Sequence, residues 1–122
     1  MVEVICDTNF LIHLATKRIK NIDSIDTEIG SISYVVPEVV KNELINLKDD
    51  VQKKQDILTT LDFIKNFKII PIHGKYADEE LINHVKKNRG IIGTMDKELK
   101  NKIKQNGGSV ISFANDKMVL ES

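Results

Sequence analysis

With a single cysteine, Cys6, the 122-residue chain has no internal disulfide to brace it. It also lacks any apolar run near the roughly 20 residues of a membrane span, so no membrane segment is expected. Asp7 cuts short the only apolar stretch at the start, which predicts no secretory leader and a cytoplasmic protein. Net charge is missing too. The 18 Lys and Arg residues balance 18 Asp and Glu, so a case for nucleic acid must rest on local patches. Two basic patches stand out, Lys86-Lys87 with Arg89, and the run Lys97, Lys100, Lys102 and Lys104. Taken alone, both read as solvated helix faces. Internal repeats, low-complexity tracts and interdomain linkers are absent, which leaves one domain over residues 1–122, long enough for a proper core.

What the chain does have is alternation. Val4-Ile5-Cys6 is a short apolar run that stops at Asp7, and from Thr8 to Lys17 the pattern turns helical through Phe10, Leu11 and Leu14. Ile19, Ile22, Ile25 and Ile29 also fall at helical spacing. Ile32 to Val36 reads as a second strand, with Pro37 opening a helix to about Leu47 and Glu38 at its positive end. Val51 to Asn66 is helical, and Lys68 to Ile72 is a third strand that Pro71 marks as an edge or an early stop. A helix over Ala77–Asn88, a strand over Gly90–Thr94 and a helix over Asp96–Gln105 follow, the last closed by Asn106-Gly107-Gly108. Ser109 to Phe113 is a fifth strand, and the last nine residues read as a tail. Continuously apolar strands alternating with helices predict a parallel sheet covered on both faces. The expected fold is α/β, three-layer α/β/α, with a central parallel sheet of about five strands.

Four acids fall where that fold would gather them on one sheet edge. Asp7 ends the first strand where a helix begins, the edge at which open α/β sheets bind ligands. Glu43 projects from within the stripe of Val40, Leu44 and Leu47, where a glutamate needs a partner or must snorkel to the rim. Asp78 shares the face of Leu81, Ile82 and Val85, whereas Glu79 is offset by about 100° and Glu80 further, as dipole partners would be. Asp96 alone is a good helix N-cap, yet its place after the fourth strand is topologically equivalent to that of Asp7. Two charges about 4 Å apart repel by roughly 4 kcal/mol at an effective dielectric of about 20. Such a cluster takes up protons or a cation. Oxygen donors without His or Cys suit Mg²⁺ or Mn²⁺ rather than zinc. Asn9 reads equally as a hydrogen-bonding neighbour of the acids and as a helix-start residue.

In order and spacing, four segments resemble the PIN domain family of Mg²⁺/Mn²⁺-dependent ribonucleases. They are Ile5-Cys6-Asp7-Thr8-Asn9-Phe10, Val35 through Leu44, Tyr76 through Leu81, and Gly93 through Leu99. The chain looks most like the branch holding the ribosome-biogenesis endonucleases of archaea and eukaryotes, with VapC-type toxin nucleases next. The resemblance implies that Asp7, Glu43, Asp78 and Asp96 take the four acidic positions. The family often has two adjacent aspartates where this chain has Asp78-Glu79, so Glu79 stays open beside Asp78. The implied activity is endonucleolytic cleavage of RNA, in rRNA processing or, alternatively, as a VapC-type toxin. Asp7, Asp78 and Asp96 would hold one or two metal ions, and Glu43 would complete the site or help activate water. Lys97, Lys100 and Lys104 would face the RNA backbone. Dimerisation is common in the family, and an antitoxin or a preribosome is the implied partner. The rival readings are a catalytically silent PIN module that binds RNA or protein, and a phosphatase with Asp7 as covalent acceptor. The phosphatase reading wants a second aspartate where Asn9 stands. Asp116 reads as a solvated tail residue or a supplementary acid.

Overall fold

A computed structural model describes residues 2–20 and 30–121. Strand β1 (Val2–Cys6) is buried on both faces: Val4 and Cys6 enter one core and Ile5 the other. The chain continues through α1 (Thr8–Thr16), β2 (Ile32–Pro37), α2 (Glu38–Leu47), α3 (Lys54–Phe63) and β3 (Lys68–Ile70). It ends with α4 (Ala77–Asn88), β4 (Ile91–Gly93), α5 (Lys97–Gln105), β5 (Ser109–Ala114) and β6 (Lys117–Glu121). The helical spacing of Ile22, Ile25 and Ile29 lies outside the described residues. No described helix is long and apolar enough to cross a membrane.

The strand order is β3-β2-β1-β4-β5-β6, parallel throughout except for β6 against β5. From β1 the chain steps to β2 and β3 on one side, then crosses to β4 and β5 on the other. The direction of winding therefore reverses between β1 and β4. Cys6 lies level with Gly93, and the Asp7 N–H donates to the Gly93 carbonyl at 2.9 Å. The residues that follow the two strands thus emerge side by side.

Two cores sandwich the sheet. Phe10, Leu11, Val40, Leu44 and Ile57 of α1–α3 cover one face, while Leu81, Val85, Leu99 and Ile103 of α4 and α5 cover the other. Burying a side chain such as Phe10 contributes about 2–3 kcal/mol. Burial also pushes the Cys6 thiol well above its usual value, with the Asp7 charge adding to the effect. Phe10 sits tightly over β4: a Cβ on Gly93 would lie 2.9 Å from two of its ring carbons. Gly93→Ala is expected to lower stability by about 1–3 kcal/mol through forced repacking. Urea unfolding should show a lower midpoint at unchanged slope.

The final residues form a strand rather than the expected tail. Asn115 and Asp116 both take positive φ, 53° and 62°, which turns the chain back on β5 as a two-residue hairpin. Glu121 at its end bridges Lys104 at 2.9 Å and Lys100 at 3.1 Å. Hydrogen bonds from these lysines, Lys104 foremost, hold the Glu121 carboxyl below the usual carboxylate range.

Candidate active site

Asp7 caps α1: Oδ1 accepts the Phe10 N–H at 2.8 Å, and Oδ2 accepts the Thr94 hydroxyl. It is only 6% exposed. Burial pushes its carboxyl up to about 6, although the Thr94 and Phe10 hydrogen bonds pull down. The charges of Asp78 and Asp96 push it further up. Thr94 is itself buried, and its Oγ1 also accepts the Asp96 N–H at 3.1 Å. One hydroxyl therefore links the two aspartates across the switch point. Asp96 caps α5 by accepting the Leu99 N–H at 2.9 Å. Its capping role and its place in the cluster coexist, as they do for Asp7.

Glu43, half-buried on α2, uses both oxygens. Oε1 accepts the Thr8 hydroxyl at 2.7 Å and Oε2 accepts the Ala77 N–H at 3.1 Å. It thereby ties α2 to the first turns of α1 and α4, and holding Ala77 fixes the next residue, Asp78. The Asp78 carboxyl is raised, first by burial, then by the charges of Asp96 and Glu43, with Lys102 opposing. Asp78 and Glu79 are both exposed, and Glu79 is not among the main charges that raise Asp7 or Asp78. A cavity of about 100 Å³ between α4 and α5 is lined by Asp78, Asp96, Glu98 and Lys102. Glu98 and Lys102 face each other at 3.5 Å.

The structure thus gathers Asp7, Glu43, Asp78 and Asp96. Asn9 is exposed and lines a second cavity with Asp96. Among the lysines, Lys97 is exposed and its side chain bonds no described residue, whereas Lys100 and Lys104 are held by Glu121. Asp116 sits in the hairpin turn and not among the clustered acids. Sequence reasoning missed the supporting roles of Thr8, Thr94, Glu98 and Lys102. The signal for the threonines was available, since a carboxylate buried at a strand end must find nearby donors. The four-residue step from Glu98 to Lys102 also marked a pair on the helix that Asp96 opens.

The donor set fits a hard divalent cation. Among the described residues, no three Asp, Glu, His or Cys side chains converge tightly enough to cage one ion. However, Asp78 and the second oxygen of Asp96 accept no hydrogen bond from described residues. Mg²⁺ keeps several waters and binds through one or two carboxylates, so a full cage is not required.

Fold and site together define an α/β protein with a carboxylate centre at the switch point of its sheet. A match to the PIN-like domain family over residues 4–115 takes this further: the chain belongs to that family. Ribonuclease VapC4 of Methanocaldococcus jannaschii is 33% identical over 112 residues, covering 87% of this chain and 86% of the relative. Ribonuclease VapC9 of Archaeoglobus fulgidus is 28% identical over 118 residues, covering 95% and 86%. Among solved structures, the PIN domain endonuclease Utp24 superposes with a TM-score of 0.75 at 27% identity, covering 98% of this chain and 90% of its own.

Proposed function

We propose that the protein is a Mg²⁺- or Mn²⁺-dependent endoribonuclease, a single domain over residues 1–122 that hydrolyses RNA phosphodiester bonds. Asp7 carries the reading: a buried carboxylate pushed to about 6, with Asp78 and Asp96 adding to the push. Such a group favours either a proton or a cation. Relatives matched over most of their length are ribonucleases, which supports the cation.

Asp7, Asp78 and Asp96 are the residues to hold the ion. When bound, it would neutralise charge on the phosphodiester and make a water more acidic. The chain's own residues supply the geometry. Thr94 orients Asp7, and Glu43 fixes Asp78 through Ala77. Lys97, exposed at the start of α5, would meet an incoming phosphate, with Lys100 and Lys104, which Glu121 holds, further along that helix. Asn9 lines the same cavity as Asp96 and would offer an amide there, and Glu79 follows Asp78 in the first turn of α4.

For the cellular setting we favour rRNA processing with a preribosome as partner, the branch the sequence resembles most. A VapC-type toxin held by an antitoxin is the second reading, favoured by the two VapC relatives. A homodimer suits either. Calorimetric titration with Mn²⁺ tests the chemistry. The wild type should bind in the micromolar-to-millimolar range, Asp78→Asn should lose binding, and Glu79→Gln should keep it. No binding by the wild type would replace the metallonuclease with a silent RNA- or protein-binding module.

A further inference from the structure

A cavity of about 710 Å³ lies apart from the four clustered acids. It opens beyond the C-terminal end of α1, where Lys17, Arg18 and Lys20 stand over an apolar floor that includes Ile19 and Phe63. Among the described residues, Asp116 is the one acid on its lining. A second cavity, of about 420 Å³, shares Lys17 with it as a lining residue. This one follows Asn9, Ile12, His13, Thr16 and Lys17, the spacing of a single helix face, and reaches Met95 and Asp96. Asp56 is its remaining charged residue. From Asn9 to Lys17 the helix axis advances about 12 Å at roughly 1.5 Å per residue. That is the length of three to four stacked nucleotides at about 3.4 Å each.

The two ends of this groove differ in chemistry. One end touches the acid cluster at Asp96; the other concentrates three cations within four residues of a chain whose net charge is zero. The cationic segment is pinned at both ends. The Lys17 N–H donates to the His13 carbonyl at 2.9 Å, and the Lys20 N–H donates to the Asp116 carbonyl at 2.8 Å. Phe63 is 41% exposed, yet its ring is braced edge-on by Phe67 at 5.2 Å. Cations for phosphates beside a braced, exposed aromatic face for a base form the equipment of a single-strand groove.

We propose that the groove along α1 seats the single-stranded RNA flanking the scissile bond. Its phosphates lie against Lys17, Arg18 and Lys20, and a base lies against Phe63. This assignment rests on the ribonuclease reading and adds the path of its substrate.

Fluorescence anisotropy with labelled single-stranded RNA tests it, using the Asp7→Asn background so that the strand stays intact. Combining Lys17→Gln, Arg18→Gln and Lys20→Gln should weaken binding roughly 100-fold at about 0.1 M salt and reduce the salt slope by about 2. Phe63→Leu should weaken it about tenfold with the slope unchanged. Lys86→Gln with Lys87→Gln, which removes charge elsewhere, should change neither. With Asp7 restored, the triple variant should raise KM for long substrates while kcat stays within about twofold. Unchanged affinity and slope in the triple variant would overturn the groove while leaving cleavage by the wild type to stand. An equal loss on duplex RNA would overturn the single-strand assignment. Reduced self-association with RNA binding intact would give the surface to a protein instead. A wild type that neither binds nor cuts RNA would remove both readings together.

Discussion

Asp7→Asn is expected to abolish cleavage and, in EDTA at neutral pH, to make the protein more stable. The cleavage loss should reach at least about 10²–10³-fold, the scale for removing a preorganised charged group from an active site. The gain in stability follows from the raised carboxyl. Below pH 3.8 Asp7 is protonated in both the folded and the unfolded chain, so the site carries no penalty. Between 3.8 and about 6 the unfolded chain ionises first, and stability falls as pH rises. Above about 6 the full deficit remains. It amounts to about 3 kcal/mol at roughly 1.36 kcal/mol per pH unit. Asparagine never ionises, and it keeps the cap: its carbonyl can accept from Phe10 while its amide donates to Thr94. Urea unfolding at pH 5 and pH 8 should therefore show the wild type losing more stability across the interval than the variant, in which only the raised Asp78 carboxyl remains. Adding Mn²⁺ should close the gap by stabilising only the wild type. Equal stability of the two proteins in EDTA at pH 8 would remove Asp7 as a strained group.

The second large effect belongs to Glu43. Its two oxygens are taken up by Thr8 and Ala77, so its first role is to position Asp78. Glu43→Ala strips partners from a hydroxyl and a backbone N–H, at a cost of about 2 kcal/mol, and should lower cleavage by about 100-fold. Glu43→Gln can restore both bonds, because its carbonyl accepts from Ala77 and its amide donates to Thr8. It should recover the full stability and most of the activity. A remaining deficit of about tenfold would report the charge that Glu43 presses on Asp78. Should Gln fold as well as wild type yet cleave no better than Ala, the brace would be secondary and the charge would be the essential contribution.

How much of this was readable beforehand depends on the range of the interaction. The Ala77–Asn88 helix was placed to the residue, because its apolar face and its charged ends all agree. Asp7 and Asp96 were matched through strand topology, a rule that needs only the order of elements. Strand β6 was missed because its turn is Asn115-Asp116, without the glycine that usually announces such hairpins. Of its apolar residues, only Met118 is buried. The same omission hid Glu121, and so Lys100 and Lys104 read as an open cationic face. For Glu43, the sequence called for a partner or a snorkelled head beside its reading as a site acid, without naming the partners; a hydroxyl and a backbone N–H hold it. Neither is visible as charge in a sequence. Short-range patterns were legible, while partners brought together by folding were not.

Asp7 and Asp96 each cap a helix as well as furnish charge, and this doubling shapes how such a protein can diverge. Asparagine, serine or threonine would keep either cap while ending the chemistry, so a lineage can leave catalysis without crossing a valley of misfolded intermediates. Descendants that have become inert scaffolds should therefore be told apart by single-residue changes at these two caps. The fold itself would carry no record of the transition.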